Sequence, residues 1–261
     1  MNVLDLFSGI GGLSLGLERT GMRTIAFCEI EPFCRAVLRK HWPNVPQYDD
    51  VRTLTAERLK QDGIGPVDLI CGGFPCQDIS VAGRGAGITG SRSGLWSEFS
   101  RLIGEIRPRY AIVENVAALL GRGMGVVLGD LVEIGYDAEW HCIPASYVGA
   151  PHRRDRIWII SYPNGSNATG IRESLVENAH PYEWTPTETV EEWNGWLDEL
   201  VSGNVAQRAD SYAQALRILD AIPNRLDRLA SLGNAVVPQI PEIIGRAILE
   251  AEKNRLTVER M

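Results

Sequence analysis

Cys76 stands in Gly72-Gly73-Phe74-Pro75-Cys76-Gln77, directly after the apolar run of residues 67–71. That run reads as a buried strand, which places Cys76 on a loop at a strand's carboxyl end, where open α/β sheets build their sites. Gly, Pro and Gln flank it in place of aliphatics, and a thiol held on such a loop can act as a nucleophile. Cys28, Cys34, Cys71 and Cys142 sit within apolar patterns and read as buried hydrophobes. Glu114 ends a second apolar run, residues 110–113. Burial raises a carboxyl pKa, so Glu114 is a candidate acid toward a ring nitrogen. His152-Arg153-Arg154-Asp155-Arg156 precedes the apolar run of residues 157–162. In an extended segment Arg154 and Arg156 share a face, and guanidinium forks suit phosphate and base oxygens.

A third constellation lies near the start of the chain. Asp5-Leu6-Phe7-Ser8-Gly9-Ile10-Gly11-Gly12 places glycines between a first strand and a helix, where backbone turns tightly and comes close to a ligand. Glu29 follows the second strand, 20 positions after Gly9, where a carboxylate can accept both hydroxyls of a ribose. The pattern predicts a nucleoside cofactor, and on these residues S-adenosylmethionine and a dinucleotide are both open.

Residues 3–7, 24–28, 67–71 and 110–113 read as buried strands with helical patterns between them, which predicts an α/β fold with a mostly parallel sheet. A helix at residues 126–134 and strands at 138–143 and 157–162 complete that sheet near Tyr162. The periodicity then breaks. Residues 163–224 are rich in Asn, Ser, Thr, Pro and Glu, with Trp184, Trp193 and Trp196 as anchors and one amphipathic stretch at 206–222. From residue 225 a Gly233-Asn234 turn and a helix after Pro241, with Ile243, Ile244, Ala247, Ile248 and Ala251 at helical spacing, return to globular patterning. The expected organisation is a body over 1–162, a small insertion over 163–224, and a segment over 225–261 that rejoins the body.

The chain has 261 residues, 44% hydrophobic and 23% charged, which excludes disordered and collagen-like classes. Its net charge of −7, taken alone, argues against a polyanionic partner. The excess is local: residues 163–224 hold three basic and ten acidic residues, and the rest balances at 23 of each. Arg84, Arg92, Arg153, Arg154 and Arg156 are therefore available to a cleft facing phosphate, and the acidic segment is expected to face solvent or a partner. Five cysteines, an odd number without a CxxC pair, suggest neither disulfides nor a zinc site, and we expect no metal and a reducing compartment. Without a basic leader or a run of eighteen apolar residues, a soluble cytoplasmic protein with no membrane association is expected.

Taken together in chain order, these motifs resemble the DNA (cytosine-5) methyltransferase family. The segment Asp5 to Gly12 is similar to its cofactor loop, Glu29 to the ribose-binding acid, and Asp50-Val51 to the motif that contacts adenine. Gly73-Phe74-Pro75-Cys76-Gln77 is similar to the nucleophile loop, Glu114-Asn115-Val116 to the catalytic acid motif, and Arg154-Asp155-Arg156 to the arginine pair. Gly233-Asn234-Ala235-Val236-Val237-Pro238 resembles the last motif, which folds back over the cofactor pocket. The likeness covers residues 1–162 and about 225–250.

The resemblance implies a Rossmann-like methyltransferase fold with a small target-recognition insertion at 163–224, S-adenosyl-L-methionine as cofactor, and double-stranded DNA as substrate. Cofactor contacts are implied at Phe7, Ser8, Gly9, Gly11 and Gly12, at Glu29 and Ile30, at Asp50 and Val51, at Gly73 and Pro75, and at Asn234 and Val236. Cys76 would attack C6 of a flipped cytosine with Glu114 at N3, making C5 nucleophilic enough to take a methyl group, while Arg154 and Arg156 hold the base and its phosphate. The chain departs from the family pattern at His152, where Gln is usual. It also departs in its recognition region of 62 residues and in lacking a recognisable bracing motif before Leu232. Compact phage-type or solitary members look like this. A monomer is expected, and a cognate restriction endonuclease is a candidate partner. The alternatives are a tRNA cytosine-5 methyltransferase and a non-catalytic DNA-binding regulator that keeps the cofactor fold. A nicotinamide oxidoreductase leaves Pro75-Cys76 and Glu114-Asn115 unexplained.

Overall fold

The computed structural model describes residues 1–75, 94–150, 154–166 and 234–258. All of these except Asn234 belong to one compact unit, built from residues 1–182 and 235–261. Cys76, Arg84, Arg92, His152, Arg153, Gly233 and the acidic segment beyond Ser166, with its tryptophans and its amphipathic stretch, lie outside the described residues.

Seven strands form one sheet in the order β3-β2-β1-β4-β5-β7-β6. They are β1 (Asn2–Leu6), β2 (Arg23–Cys28), β3 (Gln47–Tyr48), β4 (Leu69–Gly73), β5 (Tyr110–Val116), β6 (Tyr136–Pro144) and β7 (Asp155–Pro163). β1 to β5 pair in parallel, and β7 runs antiparallel to both β5 and β6. The mostly parallel α/β sheet expected from the apolar runs is the sheet observed. The strand order reverses between β1 and β4, which opens a crevice at their carboxyl ends.

Helices cover both faces. On one lie α3 (Ala56–Gln61), α4 (Leu95–Ile106) and α6 (Met124–Glu133), the last preceded by the single turn α5 (Leu119–Arg122). Trp96, Phe99, Leu102, Ile103, Val127 and Leu131 pack there against Leu4, Leu6, Ile70, Ala111 and Val113. Burying Phe99 alone is worth about 2–3 kcal/mol. On the other face α1 (Gly12–Glu18) and a long C-terminal helix α7 (Gln239–Val258) pack through Leu13, Leu17, Ile244 and Ile248 onto Val3, Leu69 and Ile112. A further helix, α2 (Pro32–His41), starts on a proline, whose fixed φ suits a first helical turn, and ends on Arg39, Lys40 and His41 beside the negative pole of its dipole. Among the described residues no helix is long and apolar enough to cross a membrane.

Four details differ from the sequence reading. Phe7 is not strand: it takes a left-handed φ of 53°, because the chain turns directly after Leu6. β5 runs on through Glu114, Asn115 and Val116, since β7 supplies ladder partners opposite all three. The two-residue β3 is too short to show any periodicity. Cys142 is exposed on β6, which among the described residues is an edge strand paired with β7, whereas Cys28, Cys34 and Cys71 are buried as expected. Burial, aided by the charge of Glu29, pushes the Cys28 thiol up to about 12, and burial beside Asp5 pushes Cys71 well up too.

Candidate active site

The first wall of the site is the turn after β1. Phe7, Gly9 and Gly11 all have positive φ, with Gly11 at 88°, and a side chain at position 11 would strike the Trp42 ring at 2.6 Å. The Ser8 hydroxyl donates to the Asp5 carbonyl at 2.7 Å and tightens the turn. Gly11 caps α1 without a side-chain acceptor, and beneath it the Ser14 hydroxyl donates to Asp5 Oδ2 at 2.7 Å. Asp5 is fully buried, and burial raises its pKa to about 7 with a contribution from the Glu29 charge. Gly12 faces the return segment, where a Cβ would lie 2.6 Å from the Val236 carbonyl oxygen. The structure therefore brings Val236 to the loop from the far end of the chain. Asn234 is exposed.

Glu29, directly after β2 and 7% exposed, accepts the Gly9 N–H at 2.6 Å on Oε2 and the Glu31 N–H at 2.8 Å on Oε1. Two donors leave lone pairs on each oxygen for ribose hydroxyls. Open space in front of Gly9, and the exposed Ile30 beside Glu29, complete a cradle that fits a nucleoside. Asp50 and Val51 follow β3 on the same sheet edge. Val51 is buried, and Asp50 accepts the Arg52 N–H and holds its guanidinium through both oxygens at 2.8–3.1 Å. The Arg52 hydrogen bonds keep the Asp50 carboxyl below the usual range.

The second wall is built from β4, β5 and β7. Gly73 and Glu114 are register partners, and a Cβ at residue 73 would lie 2.7 Å from Glu114 Oε2. Arg156 Nε donates to Glu114 Oε1 at 2.9 Å. Burial raises the Glu114 pKa above that of a free glutamate, against the opposing pull of Arg156 and Arg154. The expected shared face for the two arginines rested on extended backbone at both residues, and the backbone departs from that at Arg154. Arg154 precedes β7 with a left-handed φ of 37°, so period-2 alternation does not apply, yet both charges act on Glu114.

Pro75 is the last described residue before Cys76. The approach to it is rigid: Phe74 is buried against Trp96 with ring centroids 5.4 Å apart, and Asn115 Nδ2 donates to its carbonyl at 3.1 Å. Trp96 is itself held by Asp130 at 2.7 Å. Sequence reasoning singled out neither Asn115 nor Trp96 as site residues. The position of Asn115 beside Glu114 was the available signal for the first, and nothing local signals the second.

The family model for C-5 cytosine-specific DNA methylases matches residues 1–216. A type II methyltransferase of Bacillus subtilis, M2.BsuMI, is 38% identical over 169 residues, covering 62% of this chain and 42% of that protein. The Staphylococcus aureus type II methyltransferase M.Sau96I is 31% identical over 188 residues, 70% of this chain and 42% of its own length. The crystal structure of the Schizosaccharomyces pombe Dnmt2 methyltransferase superposes with a TM-score of 0.56 over 72% of this chain and 56% of that one, at 18% identity, and shares the Rossmann-like fold. The chain thus spans about two fifths of the length of these curated relatives. With the match running over most of its length, this chain belongs to the C-5 cytosine-specific DNA methylase family.

Proposed function

We propose that this protein is an S-adenosyl-L-methionine-dependent DNA methyltransferase that modifies C5 of a cytosine flipped out of double-stranded DNA. The observation that carries the reading is the Glu114 carboxylate, raised in pKa by burial, clamped by Arg156 and lying against the Gly73 backbone one strand from the loop that leads to Cys76. A largely buried acid paired with one guanidinium and under the charge of a second suits a pyrimidine ring: it can share a proton with N3 while the arginines bind oxygens.

In this reading the Cys76 thiolate adds to C6 and Glu114 delivers a proton to N3, so that electron density collects at C5. The bound cofactor supplies an electrophilic methyl group on its sulfonium. Loss of the C5 proton to solvent, elimination of Cys76 as the thiolate and return of the N3 proton to Glu114 then restore the aromatic ring. Phe7 to Gly12, Glu29 and Ile30 hold the ribose and methionine ends, Asp50 and Val51 the adenine, Gly73 and Pro75 the floor, and Asn234 and Val236 the closing segment. Residues 163–224 serve as the target-recognition region and 225–261 return to the catalytic body. The protein acts in the cytoplasm, as a monomer, with a cognate endonuclease as its candidate partner.

Incubation with labelled S-adenosylmethionine and DNA, scored by bisulfite sequencing, tests this directly. Wild type is expected to methylate and Cys76→Ala to be silent. Equal silence of both on DNA overturns the assignment, and transfer only to tRNA moves it to the RNA substrate.

A further inference from the structure

Arg101, midway along α4, takes no part in the chemistry above. Its Nε donates to Glu98 Oε2 at 2.8 Å and its Nη1 to Glu105 Oε1 at 2.6 Å, so carboxylates one turn before and one turn after it on the same helix fix the fork. The remaining Nη2 reaches off the helix and donates to two backbone carbonyls, Val51 at 3.1 Å and Leu54 at 2.9 Å. Glu105 adds a third tie by accepting the Ala56 N–H at 3.1 Å. The turn that follows Asp50 is thus pinned to α4 at residues 51, 54 and 56. On its inner side the same helix stacks Phe99 on Phe7 of the cofactor loop and packs Trp96 at a tilt against Phe74 of the nucleophile strand.

We propose that Arg101 is a positioning residue for the adenine end of the cofactor subsite, an inference that rests on the function proposed above. A planar fork holds two carboxylates and two carbonyls in one fixed geometry, and an ammonium does not reproduce that set. By setting the Val51–Leu54 backbone, Arg101 sets where Asp50 and Val51 meet the base. Residues on one side of the turn therefore control recognition on the other without touching the ligand.

Calorimetric binding of S-adenosylhomocysteine and of its 6-oxo analogue S-inosylhomocysteine to the full chain tests the inference. Wild type is expected to prefer the adenine ligand. Arg101→Ala is expected to lose about ten-fold for that ligand and to bind the 6-oxo analogue about as wild type does, so that discrimination collapses. Arg101→Lys, which keeps the charge and the helix pairs, carries the same comparison should the alanine variant fail to fold, and is expected to show a partial collapse. Equal weakening toward both ligands assigns Arg101 to general stability and overturns the inference, as does unchanged affinity for both. Failure of the wild type to bind either ligand overturns the functional reading itself.

Discussion

Gly73 and Glu114 lie side by side across β4 and β5, so close that the methyl group of an alanine at 73 would stand 2.7 Å from the glutamate Oε2. The far side of the carboxylate is held by Arg156, so it yields only by leaving that guanidinium. Gly73→Ala is therefore expected to lower methyl transfer about 100-fold, the scale of an ångström-sized misplacement, in a protein that still folds. Transfer rates beside a circular-dichroism melt check this, and a wild-type rate refutes the steric argument.

Glu114 titrates above a free glutamate because of burial, and Arg156 and Arg154 pull the value down. Removing Arg156 takes away one lowering charge, so Arg156→Gln is expected to raise the Glu114 pKa further. Carbon-13 NMR of labelled glutamate carboxyls measures the shift. Activity that depends on protonated Glu114 falls as pH rises through that value.

Asp5 offers a separate pH test. Its folded pKa of about 7 exceeds the ordinary 3.8, so its contribution to stability is present at low pH and is lost as pH rises through 7. Asp5→Asn, which keeps an acceptor for Ser14, is expected to gain about 2 kcal/mol relative to wild type between pH 5.5 and 8.5. Urea unfolding at the two pH values reads this, and a constant difference between the proteins counts against it.

The sequence made the sheet legible because each central strand is an apolar run bounded by Gly, Asp or Glu, and it made the site legible because those boundaries carry the motifs. Contacts between distant segments were not legible from local pattern. The return of Val236 to the Gly12 loop was expected from the family resemblance alone, nothing near Asp50 announces Arg101, and the left-handed Arg154 breaks the alternation that would place it. Each of these depends on tertiary packing, which overrides local pattern.

α7 is docked by two buried glutamates. Glu252 takes the Tyr110 hydroxyl at 2.9 Å, Arg255 at 3.3 Å and a close ion pair with Arg109, while Glu242 pairs with Arg19 and Arg246. The arginines are partly exposed, so water takes over some of what is lost. Glu252→Ala is expected to cost about 1–2 kcal/mol and Tyr110→Phe about 1 kcal/mol. Chemical denaturation midpoints decide, and unchanged midpoints refute the docking role.

The contact between Gly12 and Gly16 of α1 and the Val236 to Pro241 segment has a consequence for synthesis. α1 finds its partner far along the chain, so Leu13 and Leu17 emerge from the ribosome roughly two hundred residues before α7 can shelter them. Until then the loop at residues 7–12 stands on an uncovered face. Until α7 emerges that apolar face is expected to be open to a chaperone, and a product truncated before Val236 carries the early motifs on a half-built support.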